Sequence, residues 1–569
     1  MHRRWLVKRT NDDFLESLSK NLSISRPFAQ ILINRGIKDI DSVRAFLSPS
    51  LNDLHDPFLL NDMDKAIERI KIAIDKDETV FIYGDYDADG ITATSLLLSA
   101  LRRLGVKACY HIPNRVTEGY GLSKRGIDKA RACDAKLIIT ADCGISAIRE
   151  IDEIVSGGID VIVTDHHEPH ELLPHAFAVI NPHRRDSIYP FKELSGVGVV
   201  YKLVQALFLT VTSMPTSDTT EYLDLVTIGT VADSVPLTGE NRVFVIKGLG
   251  LLNNDSCRVG IEALKESAGI KNRYRGNEGM SSTMLSYTLI PRINAAGRLD
   301  DASDIVELFL TDDEEFARTM ADTLEGLNRK RQRVETEVFE SALKMIDHER
   351  LDSAIVLSDP SWHQGVIGIV ASRLVGEFYR PTFLFSQNET IAKGSARSIP
   401  PFHIYKGIEM CSDLLLGYGG HSQAAGVRIL IDKLPIFKER INRIVEETLT
   451  PDDLIPTLEI DTEVRLSDVN FNLINELALL EPFGEGNREP LLGAKGVEIT
   501  GYRVVGNGHL KMMTRQRSVS IDTIGFNMGE LIEMLENATV FDIVFTPSIN
   551  EWNHTRTLQL NLKAIRPSC

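Results

Sequence analysis

The sequence predicts an α/β protein: a main domain on a parallel sheet, a long connecting helix, a smaller second α/β domain and a C-terminal β-barrel. Three observations predict it. Apolar runs of strand length alternate with helical patterns, as where Thr79-Val80-Phe81-Ile82-Tyr83 is followed by a Gly-containing turn and the helix candidate Ile91 to Leu101. That order builds βαβ units and a sheet covered on both faces. Three such runs end in carboxylates or imidazoles, and ligands sit beyond the carboxyl ends of parallel strands. The last hundred or so residues instead carry short strand-like runs such as Leu558-Gln559-Leu560-Asn561-Leu562, the pattern of a small β domain.

In chain order, residues 1–50 read as a helical lead ending at Leu47-Ser48-Pro49-Ser50. Residues 51–311 hold the main α/β domain, with the alternation clearest to about residue 270. Residues 312–350 form a charged, Gly-poor helical stretch that includes Arg329-Lys330-Arg331-Gln332-Arg333. It reads equally as a solvated linker helix or as the basic lining of a groove. Residues 351–450 open on Val356-Leu357, carry several Gly-rich turns and close at Thr450-Pro451-Asp452-Asp453. Residues 451–569 make up the β domain.

A chain of 569 residues is too long for one core. Its 43% hydrophobic and 25% charged content is that of an ordinary soluble protein. The net charge of −17 argues against broad attraction to nucleic acid or anionic membrane, yet leaves room for a local basic groove. No apolar h-region follows the N-terminal Met-His-Arg-Arg, and no run approaches the roughly 20 residues that span a bilayer. A cytoplasmic protein with no membrane partner is expected. Cys109, Cys133, Cys143, Cys257, Cys411 and Cys569 show no CxxC pairing, which suits reduced thiols.

The chemistry concentrates at the run ends. Val161-Ile162-Val163-Thr164 ends in Asp165-His166-His167, Tyr83 leads into Gly84-Asp85-Tyr86-Asp87-Ala88-Asp89-Gly90, and Leu137 to Thr140 lead into Ala141-Asp142-Cys143-Gly144. Acidic and imidazole groups are poor core material unless something pairs with them. Asp85 and Asp87 lie in a turn where both side chains can converge, and Gly84 and Gly90 let the backbone fold close. Asp233, in Gly229-Thr230-Val231-Ala232-Asp233, is a fourth carboxylate. Four carboxylates and two imidazoles meet the needs of two divalent ions about 3.5–4 Å apart. Mixed O and N donors suit Mn²⁺ or Mg²⁺. A lone Asp after a strand is more often a helix cap. An EF-hand is excluded because its twelfth position, here Leu96, must be Glu.

These strings resemble the DHH phosphoesterase superfamily: Asp165-His166-His167, the preceding GDYDADG and ADCG, and GTVAD as a fourth motif. Pro291-Arg292-Ile293-Asn294-Ala295-Ala296-Gly297-Arg298, Trp362-His363-Gln364-Gly365-Val366-Ile367-Gly368, Gly394-Ser395-Ala396-Arg397-Ser398 and Gly419-Gly420-His421 are similar to its RecJ branch. The resemblance runs from Trp5 into the β domain. It implies a DHH catalytic domain, a DHH-associated domain and an oligonucleotide-binding (OB-like) barrel. It also implies a metal-dependent exonuclease that degrades single-stranded DNA 5′ to 3′ to mononucleotides in recombination and repair. The metal ligands would be Asp85, Asp87, Asp142, His166, His167 and Asp233, with Asp89 and Asp165 supporting them. A His that many DHH enzymes carry four residues before the first Asp is here Phe81.

On the same resemblance Asp165, His166, Asp89 and His363 are the expected catalytic residues. Arg298, Arg373, Arg397, Gly419, Gly420 and His421 are expected to hold substrate, with Arg397 gripping phosphate in two places; Arg373 could instead cap its own helix. Tyr502, Arg503, His509, Lys511 and Arg515 are the barrel's candidates for stacking bases and tracking phosphates. A monomer working beside single-strand-binding protein and a RecQ-type helicase is expected. A DHH enzyme for short oligonucleotides or cyclic dinucleotides is one alternative, though such enzymes usually lack the β domain. A non-catalytic DNA scaffold is the other, though none of the six ligands is missing.

Overall fold

In a computed structural model, five strands form one fully parallel sheet: β1 (Thr79–Tyr83), β2 (Ala108–His111), β3 (Ala135–Thr140), β4 (Asp160–Thr164) and β5 (Ala178–Ile180). The order across the sheet is β2-β1-β3-β4-β5. The structure describes all residues except 1–2, 116, 120, 213–215, 255–256, 271–278, 300–301, 348, 553–554 and 569. The chain divides into two compact units, residues 55–235 with 244–456 and residues 1–54 with 236–243 and 457–569.

In the first unit the strand order reverses direction between β1 and β3. That switch point opens a crevice at the strands' carboxyl ends, where doubly wound sheets bind ligands. Alternation places Phe81, Tyr83, Ile138, Val161 and Val163 on one face, packed against Ile127, Ala130, Ile151 and Ile154 of the helices Lys124–Ala132 and Ile148–Ser156. Helix α1 (Ala88–Arg103) is buried along most of its length, packed against α2 (Gly196–Val211) and α3 (Leu223–Ala232). Its Thr92, Thr94 and Ser95 hydroxyls are satisfied by carbonyls one turn back, so polar side chains cost little there.

Helix α4 (Leu289–Leu299) precedes the long helix α5 (Glu314–Met345). The latter is no solvated linker. Ala317, Ala321 and Leu324 are buried, and Glu325 pairs with Arg292 at 2.7 Å. Val338, Phe339 and Ala342 join the core formed with Trp362, Val366 and Leu374. One helix thus shares apolar surface with both α/β halves. The second half is a five-stranded mixed sheet, β6 (Ile355–Asp359), β7 (Thr382–Gln387), β8 (Ile391–Arg397), β9 (Leu415–Gly420) and β10 (Ala424–Leu430), in the order β9-β10-β8-β7-β6. Helix α6 (Ile367–Phe378) connects its parallel pair β6 and β7.

The second unit is built on a closed barrel of β11 (Leu492–Val505), β12 (His509–Gln516), β13 (Val519–Gly525), β14 (Val540–Trp552) and β15 (Thr555–Pro567). Its order, β11-β12-β13-β15-β14 and back to β11, with β13 and β15 parallel, is that of an OB-fold. The N-terminal residues belong to this unit. Arg4–Val7 pairs in parallel with Thr457–Ile460, and Phe28, Ile31 and Leu32 enter the barrel's core. Cys109, Cys133, Cys143, Cys257 and Cys411 are free thiols, while Cys569 lies outside the described residues.

Candidate metal centre

Asp85 and Asp87 leave the end of β1, Asp142 the end of β3, and His166 and His167 the end of β4, so the crevice collects them. Asp85, Asp87 and Asp142 bring ligand atoms within 4.8 Å of one another, as do Asp142, His166 and His167, and Asp89, His166 and Asp233. Asp87 also caps α1, its carboxylate accepting from the Asp89 and Gly90 amides at 3.1 Å each. Gly90 is required by close approach: a Cβ there would lie 2.7 Å from the Cα of Asp85. A Cβ on Gly196, at the start of α2, would lie 2.3 Å from Asp142 Oδ1. Asp142 itself adopts a left-handed backbone, φ 64°, which aspartate tolerates better than most residues.

Asp233 arrives differently. It ends helix α3, where a carboxylate faces the negative pole of the helix dipole. His166 Nε2 lies 3.2 Å from Asp142 Oδ1 and 3.4 Å from Asp233 Oδ2. Asp85 Oδ1, Asp142 Oδ1 and His166 Nε2 are buried without a hydrogen-bond partner. Leaving such atoms unsatisfied is costly, and a hard divalent cation satisfies carboxylate oxygen and imidazole nitrogen together. The residues fit that group.

The supporting residues are as well defined. Asp165 is fully buried; its Oδ1 accepts from the His166 and His167 amides at 2.7 and 3.0 Å and from His167 Nδ1 at 2.7 Å, and its Oδ2 from the Ile145 amide at 2.9 Å. This is the carboxylate–histidine pairing that fixes a ligand's tautomer and leaves ligation to Nε2. Asp89 accepts from the Gly196 and Val197 amides at 2.7 and 2.9 Å, holding the start of α2 against the site.

Burial, together with crowding by neighbouring carboxylates, pushes Asp85 and Asp142 well above the usual carboxylate range. The same causes lift Asp89 and Asp233 to about 7. Burial also weighs on Asp165 and His167, but their mutual contact prevails: Asp165 is held below its ordinary value and His167 is raised to about 9. The raised carboxyls bind more protons folded than unfolded between about pH 4 and pH 7, so metal-free stability falls as pH rises through that window. The His167 contribution is fully present below about pH 6.5 and is lost as pH rises through about 9. The metal-free melting temperature is therefore expected to fall from about pH 5 to about pH 9. Mn²⁺, binding the folded carboxylates, is expected to flatten the fall. Melting curves with EDTA or Mn²⁺ check this; a metal-free rise over the same range contradicts it.

A cleft of about 380 Å³ lies alongside, lined by Arg115, Lys393, Ser395, Arg397, Gly420 and neighbouring backbone. Arg397 Nη1 donates to Ser395 Oγ at 3.1 Å. Arg298 donates to the Gly365 carbonyl at 3.0 Å, and burial with nearby Arg115, Arg331 and Arg397 lowers its pKa to about 9. Of the basic run, Arg331 turns inward and pairs with Glu335 at 2.8 Å. His421, held low by burial, feels the charges of both Arg397 and His167. Arg115 went unread in the sequence. It follows β2 as the acidic residues follow the other strands, but β2 is only partly buried and makes a weak apolar run.

Some expected residues are not brought here. His363 is exposed in the turn before α6, its Nδ1 accepting from the Gly365 amide at 3.1 Å, and it does not line the cleft. Arg373 neither lines the cleft nor caps its helix: it lies over the Phe339 ring at 3.8 Å and 3.8 Å from Glu335 Oε1. Gly419 is not part of the lining either, while Gly420 is. In the barrel, Arg503 and Lys511 are cross-strand neighbours, the His509 ring lies 5.3 Å from that of exposed Phe526, and Arg515 is tied to Glu498.

A carboxylate–imidazole cluster at the switch point of a parallel sheet, joined by one helix to a second α/β sheet, defines a DHH-type protein. Residues 79–230 match the DHH family, N-terminal domain, residues 351–447 the DHHA1 domain and residues 460–564 the RecJ OB domain. The single-stranded-DNA-specific exonuclease RecJ of Bacillus subtilis is 38% identical over 98% of this chain and 70% of its own. That of Escherichia coli is 35% identical over 89% of this chain and 91% of its own. The crystal structure of RecJ from Thermus thermophilus in complex with Mn²⁺ superposes with a TM-score of 0.84, at 30% identity, over 99% of this chain and 79% of that one. The same protein in complex with Mg²⁺ gives 0.79, at 29% identity, over 99% and 78%. The chain belongs to the RecJ family.

Proposed function

We propose that the protein is a metal-dependent exonuclease that hydrolyses single-stranded DNA from its 5′ end to mononucleotides, in recombination and repair. The observation that carries this reading is the set of buried, unpartnered ligand atoms beside a cationic cleft. Asp85, Asp87, Asp142, His166, His167 and Asp233 would hold two divalent cations, Mn²⁺ or Mg²⁺. When bound, these supply an activated water and neutralise charge on the reacting phosphate. Asp165 orients His167, and Asp89 fixes the start of α2 against the cluster. Arg115, Arg397 and Ser395 take the terminal phosphate, and Arg298 adds positive charge behind them. The cleft has the volume of a small-ligand pocket, which suits the end of an unpaired strand.

The OB-fold takes more of the strand, with Arg503 and Lys511 along the backbone and His509 and Phe526 for stacking. The division proposed is residues 1–50 as a helical lead, 51–311 for catalysis, 312–350 as connecting helix, 351–450 for the strand terminus and 451–569 as a nucleic-acid-binding domain. The reading includes a cytoplasmic monomer recruited by single-strand-binding protein and a RecQ-type helicase. Among the described residues no helix is long and apolar enough to cross a membrane.

Digestion of 30-nucleotide strands labelled at either end tests the reading. The 5′ label is expected to be released first, as a mononucleotide and only with Mn²⁺ or Mg²⁺, while a blunt duplex and a dinucleotide are cut far more slowly. Release from the 3′ end first overturns the polarity, and preference for the dinucleotide overturns the polymer substrate. Arg397→Ala is expected to weaken binding of the strand by about tenfold or more with Mn²⁺ affinity unchanged; equal loss of both contradicts its phosphate role.

A further inference from the structure

Around the loop that bears Arg115 lies a hydrogen-bonded group, the largely buried His111 and Glu118 side chains with exposed Lys129, that the proposed chemistry does not use. His111, the last residue of β2, is 3% exposed, and its Nε2 lies 3.0 Å from Glu118 Oε2. Lys129 Nζ lies 3.0 Å from the other ring nitrogen, Nδ1. An ammonium can only donate, so Nδ1 accepts and the imidazole proton sits on Nε2, aimed at Glu118. Glu118 also accepts from Ser123 Oγ at 2.5 Å and, through Oε1, from the Asn114 amide at 3.0 Å. Three donors from three parts of the chain converge on one carboxylate, and Asn114 immediately precedes Arg115.

The far end of the loop is tied as firmly. Tyr83 OH accepts from the Ser123 amide at 2.8 Å and lies 3.2 Å from the Gly121 carbonyl. Tyr83 ends β1, two residues before Asp85. The strand that delivers the first two carboxylates therefore also anchors the loop. The Arg115 guanidinium rests over the ring of Tyr86, between Asp85 and Asp87, at 5.0 Å from its centroid. A buried carboxylate held by several hydrogen bonds contributes little net stability, but it can fix one geometry.

We propose that Glu118, held by His111, Asn114 and Ser123, is a positioning residue that sets Arg115 over the cleft in register with the carboxylates of β1. This rests on the reading of that cleft as the site of the strand's terminal phosphate. Glu118 touches no substrate; it acts through Arg115, whose flexible side chain is otherwise costly to immobilise.

The test is a double-mutant cycle on the full chain, measuring KM and kcat on a 30-nucleotide single strand with Mn²⁺, together with melting temperatures. Glu118→Ala and Arg115→Ala are each expected to raise KM by about tenfold, with a much smaller change in kcat. The double variant is expected to be no more than about twofold worse than Arg115→Ala alone, since both changes remove one interaction. Glu118→Gln keeps an acceptor oxygen for Ser123 and is expected to raise KM less; it carries the test if Glu118→Ala fails to fold. An unchanged KM in the folded Glu118 variants, with Arg115→Ala impaired, overturns the clamp alone. Effects that multiply in the double variant overturn it too. An unchanged KM in Arg115→Ala overturns the cleft reading and the proposal together.

Discussion

Replacing His166 with alanine or Asp142 with asparagine is expected to lower hydrolysis of single-stranded DNA by roughly 10³-fold or more while the chain stays folded. A bound cation supplies several kcal/mol of charge stabilisation, and each 1.4 kcal/mol or so is a factor of ten in rate. His166 stands between Asp142 and Asp233 at 3.2 and 3.4 Å, so its loss would remove the nitrogen donor that both carboxylates flank. Asparagine is the informative change at Asp142 because it accepts the left-handed backbone there. At a pH where Asp142 is ionised it also removes one charge from a crowded group, so there the metal-free variant should melt higher than the parent. Single-turnover rates with Mn²⁺ and melting curves with EDTA check both halves. A variant with parental rates removes this cluster from the chemistry.

Arg242→Ala is expected to give the largest loss of stability, about 3–5 kcal/mol, since it strands several buried carbonyls at roughly 1–3 kcal/mol for each that finds no other partner. Arg242 is 1% exposed and donates to the carbonyls of Phe46, Leu479, Leu480 and Glu481 between 2.7 and 3.2 Å. Its guanidinium lies over the Phe46 ring at 4.0 Å. One side chain from the short segment 236–243 thus ties the N-terminal helices to the chain leading into the barrel. Burial, with Arg35 nearby, brings its pKa down to about 10, and it is carbonyl oxygens that offset the cost. Chemical denaturation of the metal-free protein checks the magnitude; a loss below about 1 kcal/mol would mean the carbonyls find other partners.

The metal cluster was legible because its signal is local. An apolar run of strand length that stops at a carboxylate or imidazole marks both the strand and the ligand, and Asp85, Asp142 and His166 each carry that mark. Asp233 carries the same mark, an apolar stretch ending in a carboxylate, but that stretch folds as helix α3 and not as a strand. Strand order was not legible, so the switch point between β1 and β3, which explains why these ends converge, came only with the structure. Arg115 was lost because β2 is half-exposed, and Glu118 because its partners are separated by turns with no periodicity. His363 and Arg373 stood out by their motifs, and the structure places the one in a turn hydrogen bond with the Gly365 amide and the other over the Phe339 ring. The N-terminal residues share a core with the barrel, a pairing over more than 400 residues that no local pattern announces.

The central claim is that these carboxylates and imidazoles hold a pair of divalent cations. Crystals soaked in Mn²⁺ and measured at the manganese absorption edge test it most directly. Two anomalous peaks about 3.5–4 Å apart are expected among Asp85, Asp87, Asp142, His166, His167 and Asp233, and both should vanish in Asp142→Asn or be reduced to one. Peaks elsewhere, or no ordered manganese at this cluster at millimolar concentration, would contradict the account.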